Sequence, residues 1–194
     1  MKRIAGIDEA GRGSVAGPVV AAAVILPVDF DPADVDDSKK LSPQQRIEHF
    51  EKLITSGALV GVGMAGVEEI DRWNILRATF RAMHRAVSRL PLRPAALWVD
   101  GPHFHPFPDI PHRCVIRGDA LEPAISAASI VAKVWRDRWM ERLHVQYPHY
   151  QWHQNKGYLT PAHLEAIRRY GPSPYHRRSF HIRALAPSLF PEGR

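Results

Sequence analysis

Residues 6–13, GIDEAGRG, place two adjacent carboxylates, Asp8 and Glu9, directly before a Gly-Arg-Gly turn. The mostly apolar residues 3–7 read as a β-strand, and the run PVVAAAVIL at 18–26 predicts a second strand. A glycine-rich turn is sufficient to end a strand, so a solvated strand end explains two charges at this point poorly. The stretch therefore predicts a strand that delivers acidic groups to a functional site.

Further apolar runs predict the rest of a sheet, and they lie at residues 58–66, 95–100 and 113–119. Helix starts are marked by capping residues at Ser42, Asp71 and Thr160. The first start is the clearest, because Pro43 would occupy the first helical position and Gln45 could close a capping box. Another long helix is predicted over residues 122–147. Strand-like runs early in the chain and alternation later indicate a mixed sheet with helices on its faces.

The chain has 194 residues, a net charge of +6 and a single cysteine. This length fits one domain, and one cysteine fits a reducing, cytoplasmic compartment without an intrachain disulfide. We expect no signal peptide and no membrane span, since the N-terminus lacks an apolar leader and no apolar run reaches about 18 residues. The positive charge suits a polyanionic partner, although a solvated basic face would account for it equally well on composition alone.

Residues 11–16, GRGSVA, match the G-x-G-x-x-A pattern of a dinucleotide-binding turn. That mechanism requires a helix to begin at the turn, so that its N-terminus meets the pyrophosphate. Here Pro18 and a predicted strand follow instead, and Asp8 and Glu9 would repel the pyrophosphate. The pattern is therefore not interpreted as a cofactor site.

The aspartates Asp8, Asp100 and Asp119 stand at or near the C-terminal ends of predicted strands. In α/β sheets the ligand crevice lies outside these ends, so these carboxylates, with Glu9, could gather in one place. Two such charges about 4 Å apart repel by about 4 kcal/mol at an effective dielectric constant of about 20, so a cluster needs a compensating cation. An oxygen-only ligand set favours Mg²⁺ or Mn²⁺ over Zn²⁺, and two such ions can clamp both sides of a phosphodiester displacement.

Simpler explanations remain open for some of these residues. Asp100 could belong to an ordinary Asp-Gly turn, and Asp119 could cap a helix with Glu122 as its partner. Asp137 is only a secondary candidate, because an i,i+4 ion pair with Lys133 would account for it.

Several motifs taken together are more specific than any one of them. They are GIDEAGRG, DSKKLS at 37–42, DG at 100–101, GDALEPAISAASIVAKVWRDRWM at 118–140, NKGYLTPAH at 155–163 and HRRSF at 176–180. In this order they resemble ribonuclease HII, the type 2 ribonuclease H family, over residues 4–180. Two departures are minor: Pro102 follows Asp-Gly where Asn is common, and Arg117 precedes Gly-Asp where Lys is commoner.

The resemblance implies an α/β protein with the RNase H fold, in which helices flank a five-stranded mixed sheet and a helical segment follows at the C-terminus. It implies a single catalytic domain over residues 1–194, with a core of about 1–145 and a helical substrate-binding segment of about 146–182. The tail 183–194 falls outside the resemblance and is a candidate for disorder. No role is assigned to the Pro/His-rich loop 101–112.

The resemblance also implies an activity. The expected enzyme is an endonuclease that hydrolyses the RNA strand of RNA/DNA hybrids and incises 5′ to ribonucleotides embedded in duplex DNA, using Mn²⁺ or Mg²⁺, with two ions expected. It would leave a 3′-hydroxyl and a 5′-phosphate and would act as a monomer, and no protein partner is indicated. Two alternatives are another nuclease of this fold, such as a junction resolvase, and a catalytically inactive hybrid-binding module.

Carried over residue by residue, the resemblance implies catalytic, metal-binding carboxylates at Asp8, Glu9, Asp100 and Asp119. It implies a ribose-reading loop and a matching tyrosine at Gly11, Arg12, Gly13 and Tyr158. Phosphate contacts are expected from the DSKKL motif, at Ser38, Lys39 and Lys40 beside Asp37. The two glycines of the loop are interpreted as leaving room for a nucleic-acid backbone, with Arg12 between them as a bidentate phosphate ligand.

Overall fold

Five β-strands form one mixed sheet. The computed structural model describes residues 3–32, 35 and 41–182. The sheet order is β3-β2-β1-β4-β5. The central strand β1 runs antiparallel to β2 and parallel to β4, while β3 and β5 extend the two sides. The strands are β1 (Ile4–Ala10), β2 (Val19–Ile25), β3 (Leu59–Ala65), β4 (Ala96–Asp100) and β5 (His112–Val115). The predicted five-stranded mixed sheet is confirmed.

Helices cover both faces of this sheet. Their bounds are α1 (Pro43–Thr55), α2 (Val67–Ser88), α3 (Gly118–Leu121), α4 (Pro123–Gln146), α5 (Trp152–Asn155) and α6 (Pro161–Tyr170), with a 3-10 helix at Pro148–Tyr150. Ser42 and Gln45 form the predicted capping box of α1, and the Thr160 side chain caps α6. Within the part of the chain that the structure describes, no helix is long and apolar enough to cross a membrane.

Alternating residues of β2 separate two hydrophobic cores. Ala21 and Ala23 face α2, with its Ala78, Ala82 and Met83. The intervening Ala22 and Val24 pack against buried residues of α1 and α4. A third cluster joins the end of α4 to the short C-terminal helices. The C-terminal helices are thereby fixed to the element that also covers β1.

Helix α4 lies unusually close to β1. A Cβ atom added at Gly6 would stand 2.1 Å from the backbone carbon of Ala124 at the start of that helix. Only glycine allows this approach, and it holds the first turns of α4 beside the strand that carries Asp8.

The predicted cap at Asp71 is wrong. Helix α2 begins earlier, at Val67, and contains a kink at Asn74, whose φ is 69°. The Asn74 side chain accepts a hydrogen bond from the Arg77 amide at 3.1 Å and restarts the helix there. Asp71 instead accepts hydrogen bonds from the amides of Arg178 and Ser179. Its carboxylate is used by a tertiary contact that local sequence does not reveal.

The fifth strand is shorter than predicted. It ends at Val115, and Arg117 adopts a left-handed conformation, with φ 57°, before α3 begins. Asp119 therefore lies in the first turn of α3 and not at a strand end. Asp37, Ser38, Lys39, Lys40 and the tail 183–194 lie outside the described residues.

Candidate active site

Three acidic side chains meet at one edge of the sheet. Asp8 and Glu9 lie in the last part of β1, Asp100 ends β4, and the parallel pairing of Ile7 with Val99 brings the two strand ends side by side. All three carboxylates line a cavity of about 320 Å³. The other lining residues are Ala10, Gly11, Arg12, Gly13, Arg46, Ser129, Lys133 and Tyr158. The structure thus brings together three of the four predicted carboxylates, the glycine-rich loop and the tyrosine.

Asp8 is the most deeply placed of these acids. It is buried, its Oδ1 accepts a hydrogen bond of 2.7 Å from the Glu9 amide, and it is hydrogen-bonded to the Ser129 side chain. Burial first, and then the charges of Glu9 and Asp100, raise the pKa of Asp8 well above its usual value. The raised pKa means that negative charge at this point is not fully compensated by the protein.

Asp100 anchors the turn that leads to Asp119. Its Oδ1 accepts hydrogen bonds from the amides of Gly118, at 2.7 Å, and Asp119, at 3.4 Å. Asp119 is buried and lies beside the cavity without lining it. The N-cap positions of α3 and α4 belong to Arg117 and Glu122, so the alternative that Asp119 caps a helix is wrong.

Cationic side chains share the cavity with the acids. Arg12 Nη1 lies 3.0 Å from Glu9 Oε1, and Arg46 and Lys133 line the wall. The predicted ion pair between Lys133 and Asp137 is present. Asp137 is not among the residues that line this cavity, so the structure does not bring it to the other carboxylates.

The donor set fits a hard divalent cation, although the side chains are not yet arranged around one. Among residues 3–32, 35 and 41–182, no three His, Cys, Asp or Glu residues are already spaced to hold a metal ion. Carboxylate oxygens without sulfur or imidazole are the ligands that Mg²⁺ and Mn²⁺ prefer. The uncompensated charge at Asp8 is the second feature that a cation would satisfy.

The absence of a side chain has a different physical reason at each of the two glycines of the Gly11-Arg12-Gly13 loop. Gly11 has a φ of +94°, and a Cβ there would stand 1.9 Å from Nε of Arg136. A Cβ at Gly13 would meet no atom of the described residues within 4 Å. The interpretation that both glycines leave room for a nucleic-acid backbone is therefore incomplete, because Gly11 is already required by the fold.

Two buried arginines hold this loop, and sequence reasoning missed both as site residues. Arg177 donates hydrogen bonds to the carbonyls of Gly11 and Arg12 at 2.7 and 2.9 Å. Arg136 donates to Ser14 Oγ at 2.7 Å and to the Pro18 carbonyl at 3.0 Å. Burial lowers the pKa of Arg177 to about 9 and also lowers that of Arg136. The only available signal was that both lie in motifs of the family resemblance.

Tyr158 is brought to the same loop by backbone contacts. The Gly157 carbonyl accepts hydrogen bonds from the amides of Val15 and Ala16 at 2.9 and 3.2 Å. The Tyr158 side chain is 40% exposed and lines the carboxylate cavity. The Arg136 guanidinium carbon lies 5.5 Å from the centre of its ring. The tyrosine therefore faces the site instead of being enclosed by the helix that follows it.

Comparison with known proteins identifies the family. A family model described as Ribonuclease HII matches residues 5–183.

The chain belongs to the ribonuclease HII family.

Curated relatives share about half of its residues. The ribonuclease HII of Porphyromonas gingivalis is 52% identical over 178 residues, which are 92% of this chain and 89% of the relative. That of Geobacillus kaustophilus is 51% identical over 180 residues, covering 93% and 68% of the two chains. Identity at this level over most of the chain establishes a hydrolase of the ribonuclease H class, a nuclease.

Solved structures establish the RNase H fold of this ribonuclease HII chain. The RNase HII of Archaeoglobus fulgidus, solved as a complex with PCNA, superposes with a TM-score of 0.78 at 26% identity and covers 96% of this chain and 98% of its own. Ribonuclease H2 of Pyrococcus horikoshii gives 0.75 at 30% identity, covering 92% and 93%. Bst-RNase HIII, solved with Mn²⁺, gives 0.63 at 20% identity, covering 88% and 63%, and supports the fold alone.

In this ribonuclease HII, a chain of hydrogen bonds supports Tyr158 by ending at its backbone carbonyl. The Ser173 amide donates to His176 Nδ1 at 2.9 Å, which leaves Nε2–H of His176 to donate to His163 Nε2 at 3.1 Å. The same His163 nitrogen accepts from Trp152 Nε1 at 3.1 Å, so its Nδ1–H donates to the Tyr158 carbonyl at 2.9 Å. This pattern requires both imidazoles to be neutral, because a proton added to either ring would remove an acceptor.

Stability is expected to fall as the pH drops from about 6.5 toward 5. Burial, and then His163, lower the pKa of His176 to about 4, so the unfolded chain takes up a proton in this range and the folded chain does not. This linkage is expected to cost about 1–2 kcal/mol of unfolding free energy at about pH 5. Urea unfolding at the two pH values measures it. His176→Gln should flatten the pH dependence and His181→Gln should not, whereas equal slopes in both variants would refute the assignment.

Proposed function

We propose that this enzyme hydrolyses the RNA strand of RNA/DNA hybrids and incises 5′ to ribonucleotides embedded in duplex DNA. The observation that carries the proposal is the meeting of Asp8, Glu9 and Asp100 with the Gly11-Arg12-Gly13 loop and Tyr158 in one cavity. The carboxylates supply a site for phosphodiester hydrolysis, and the loop and ring supply groups that can tell ribose from deoxyribose. Membership of the ribonuclease HII family supports the same assignment.

Divalent cations, Mn²⁺ or Mg²⁺, would be held by Asp8, Glu9 and Asp100, with Asp119 beside them. When bound, two such ions would supply an activated water and neutralise charge on both sides of the scissile phosphate. Ser129 and the Glu9 amide hold the Asp8 carboxylate, and the Gly118 amide holds that of Asp100. These bonds restrict the two carboxylates, and a bound cation would complete the arrangement of their oxygens.

Arg12 links the acidic site to the phosphate backbone in this proposal. Its guanidinium pairs with Glu9 in the absence of substrate and is half exposed. Arginine binds phosphate oxygens in a bidentate manner, so an incoming phosphate would draw Arg12 away and release Glu9. The loop itself need not move, because Arg177 holds its carbonyls.

Ribose is distinguished by its 2′-hydroxyl, which is displayed in the shallow minor groove. Backbone groups of Gly11 and Gly13 can approach this group, and open space beside Gly13 leaves a path for the strand. The exposed ring of Tyr158 can pack on the next deoxyribose, where a second 2′-hydroxyl would obstruct it. Together these groups would select the RNA-to-DNA step.

We propose that in the cell the enzyme is a cytoplasmic monomer that removes ribonucleotides from DNA. The net charge of +6 supports a nucleic-acid duplex as the partner, and the single cysteine supports a reducing compartment. Ser38, Lys39 and Lys40 would add phosphate contacts.

Cleavage of a duplex carrying one ribonucleotide tests the function. We expect incision on the 5′ side of that nucleotide, with a 3′-hydroxyl and a 5′-phosphate, dependent on Mg²⁺ or Mn²⁺ and abolished by EDTA. Mass spectrometry of the products identifies the ends. A 2′,3′-cyclic phosphate would refute the metal-assisted mechanism, because the ribose hydroxyl would then be the nucleophile. Cleavage of four-way DNA alone would indicate a junction resolvase, and binding without turnover would indicate an inactive hybrid-binding module.

Tyr158→Ala is expected to reduce kcat/KM by about tenfold at a single embedded ribonucleotide, since stacking on an aromatic ring is worth about 1–3 kcal/mol. A smaller loss of kcat/KM is expected on a long RNA/DNA hybrid. Such a hybrid offers many cleavable phosphodiester bonds that do not lie at an RNA-to-DNA step. Tyr158→Phe keeps the ring and serves as the matched control. Parallel kinetics on the two substrates check this, and equal losses on both would reduce Tyr158 to a packing residue.

A further inference from the structure

A second cavity, of about 670 Å³, lies between helix α2 and the Pro/His-rich loop 101–112. We call it the arginine groove. Its lining residues are all arginine, histidine or aromatic: Trp73, Arg77, Phe80, Arg81, His84, Arg85 and His105. No carboxylate lines this groove in the described part of the chain.

Loop 101–112 forms one wall of the arginine groove because aromatic contacts hold it on α2. The Phe104 ring packs edge-on against Phe80, with ring centres 6.3 Å apart. His84 lies 5.1 Å from the Phe107 ring, and its Nε2 is 2.8 Å from the His105 carbonyl. The loop is therefore a built part of the surface, with the His105 side chain left exposed.

The arginines of the groove are not all used by the fold. Arg85 is a structural residue, since it forms two hydrogen bonds with Glu69, at 2.7 and 2.8 Å, and one with the Met64 carbonyl. The Arg81 guanidinium carbon lies over the Trp73 ring, 3.9 Å from its centre, and Arg81 Nε is 3.7 Å from Glu69 Oε1. Within the described residues, the exposed Arg77 has no ion pair. A single carboxylate, Glu69, thus pairs with two of the three arginines, which leaves an excess of positive charge.

The arginine groove lies next to the carboxylate site. A small cavity of about 50 Å³ is lined by Glu9, Arg12 and Asp100 from the site and by Phe80 from α2. Phe80 also lines the arginine groove. A polymer that leaves the carboxylates past Arg12 therefore reaches Phe80 and then Arg77 and Arg81.

We infer that the arginine groove binds the phosphate backbone of the substrate beyond the cleaved step. This inference rests on the proposed function and extends it. An excess of cations over carboxylates, set among aromatic rings, is a usual feature of surfaces that follow a nucleic-acid strand. An acidic peptide would satisfy the charge, but the position next to the hydrolytic site favours the nucleic acid.

The test compares Arg77→Ala and Arg77→Glu with Arg89→Ala. Arg89 is exposed at the C-cap of the same helix and does not line the groove. Among the described residues, its side chain donates only to the Val62 carbonyl. The substrates are duplexes with one central ribonucleotide, shortened stepwise from either end, and kcat/KM is measured over a range of salt concentrations. On the longest duplex, Arg77→Ala is expected to lose about threefold to tenfold and to lower the salt slope by about one, and Arg77→Glu to lose more.

The position of the groove on one side of the site makes the result directional. The difference between Arg77→Ala and Arg89→Ala should narrow to within about twofold when the duplex is shortened from one end, and not from the other. The inference would be overturned if Arg77→Ala lost the same fraction of kcat/KM on duplexes of every length. It would also be overturned if Arg77→Ala and Arg89→Ala had equal kcat/KM while the unmodified enzyme cleaves normally. Competition by poly-glutamate that depends on Arg77, without an Arg77 effect on duplexes, would assign the groove to an acidic peptide. Failure of the unmodified enzyme to cleave any of these duplexes would refute the proposed function itself, and fluorescence anisotropy with the same duplexes in EDTA would still test the groove.

Discussion

Asp8→Asn is expected to lower kcat/KM by about a thousandfold or more while leaving the protein folded. The negative charges of Glu9 and Asp100 both act on Asp8. Asp8 is therefore the carboxylate whose charge a bound divalent cation would stabilise most. Losing a ligand of this kind removes several kcal/mol of transition-state stabilisation, and about 4 kcal/mol corresponds to about a thousandfold. Asparagine is nearly isosteric and can still accept the hydrogen bond of the Glu9 amide. Steady-state cleavage of a duplex with one ribonucleotide measures the effect.

Thermal unfolding separates this effect from misfolding. Burial and two neighbouring carboxylates raise the pKa of Asp8, so its ionised form is less favourable in the folded chain than in the unfolded chain at neutral pH. Removing the charge should leave Tm unchanged or higher. Asp100→Asn is expected to be as severe in rate, and Asp119→Asn severe with partial recovery in Mn²⁺. Activity of Asp8→Asn within about tenfold of wild type would contradict the assignment of the catalytic centre.

Arg136→Met is expected to destabilise the fold by about 3 kcal/mol or more and to lower activity with it. The guanidinium is fully buried and donates to the Pro18 and Ala16 carbonyls and to Ser14 Oγ. Methionine fills much of the volume but leaves these acceptors buried without a donor, at about 1–3 kcal/mol each. Because Arg136 also packs on Gly11, the substrate loop would lose its support.

The cost of burying the Arg136 charge opposes this destabilisation, so measuring the stability of the variant shows which effect is larger. Burial lowers the pKa of Arg136, and its Nη1 has no hydrogen-bond partner among the described residues, so the charge itself is costly to bury. Replacing a buried charge by an apolar side chain is sometimes neutral for this reason. Urea unfolding of Arg136→Met beside Arg142→Met, an exposed arginine of the same helix, decides between the two terms. Equal stability of both variants would mean that the cost of burying the guanidinium offsets its hydrogen bonds.

Local patterns were sufficient to find all five strands, although not the end of the fifth, and to find two of the helix starts. Ser42 and Thr160 cap helices as predicted, because a capping hydroxyl and the amide it satisfies lie within three residues of one another. Asp71 fitted the same pattern and was wrong, since its carboxylate binds amides more than a hundred residues away. A single sequence does not reveal which of two partners a polar side chain will choose.

The sequence by itself determined that a strand ends on Asp8 and Glu9, that a second strand ends on Asp100, and that a glycine-rich loop follows the first. Strand periodicity and turn chemistry are local, and parallel strands bring their carboxyl ends to one edge, so the carboxylates that share the cavity were predictable. Only the tertiary structure decided that Asp119 leaves the strand for a helical turn, that Gly11 is required by Arg136, and that Arg177 and His163 support the loop and the tyrosine. These contacts join residues far apart in the chain, and their hydrogen bonds offset the cost of burying polar groups. That energy depends on which segments the fold makes neighbours, which local composition does not encode.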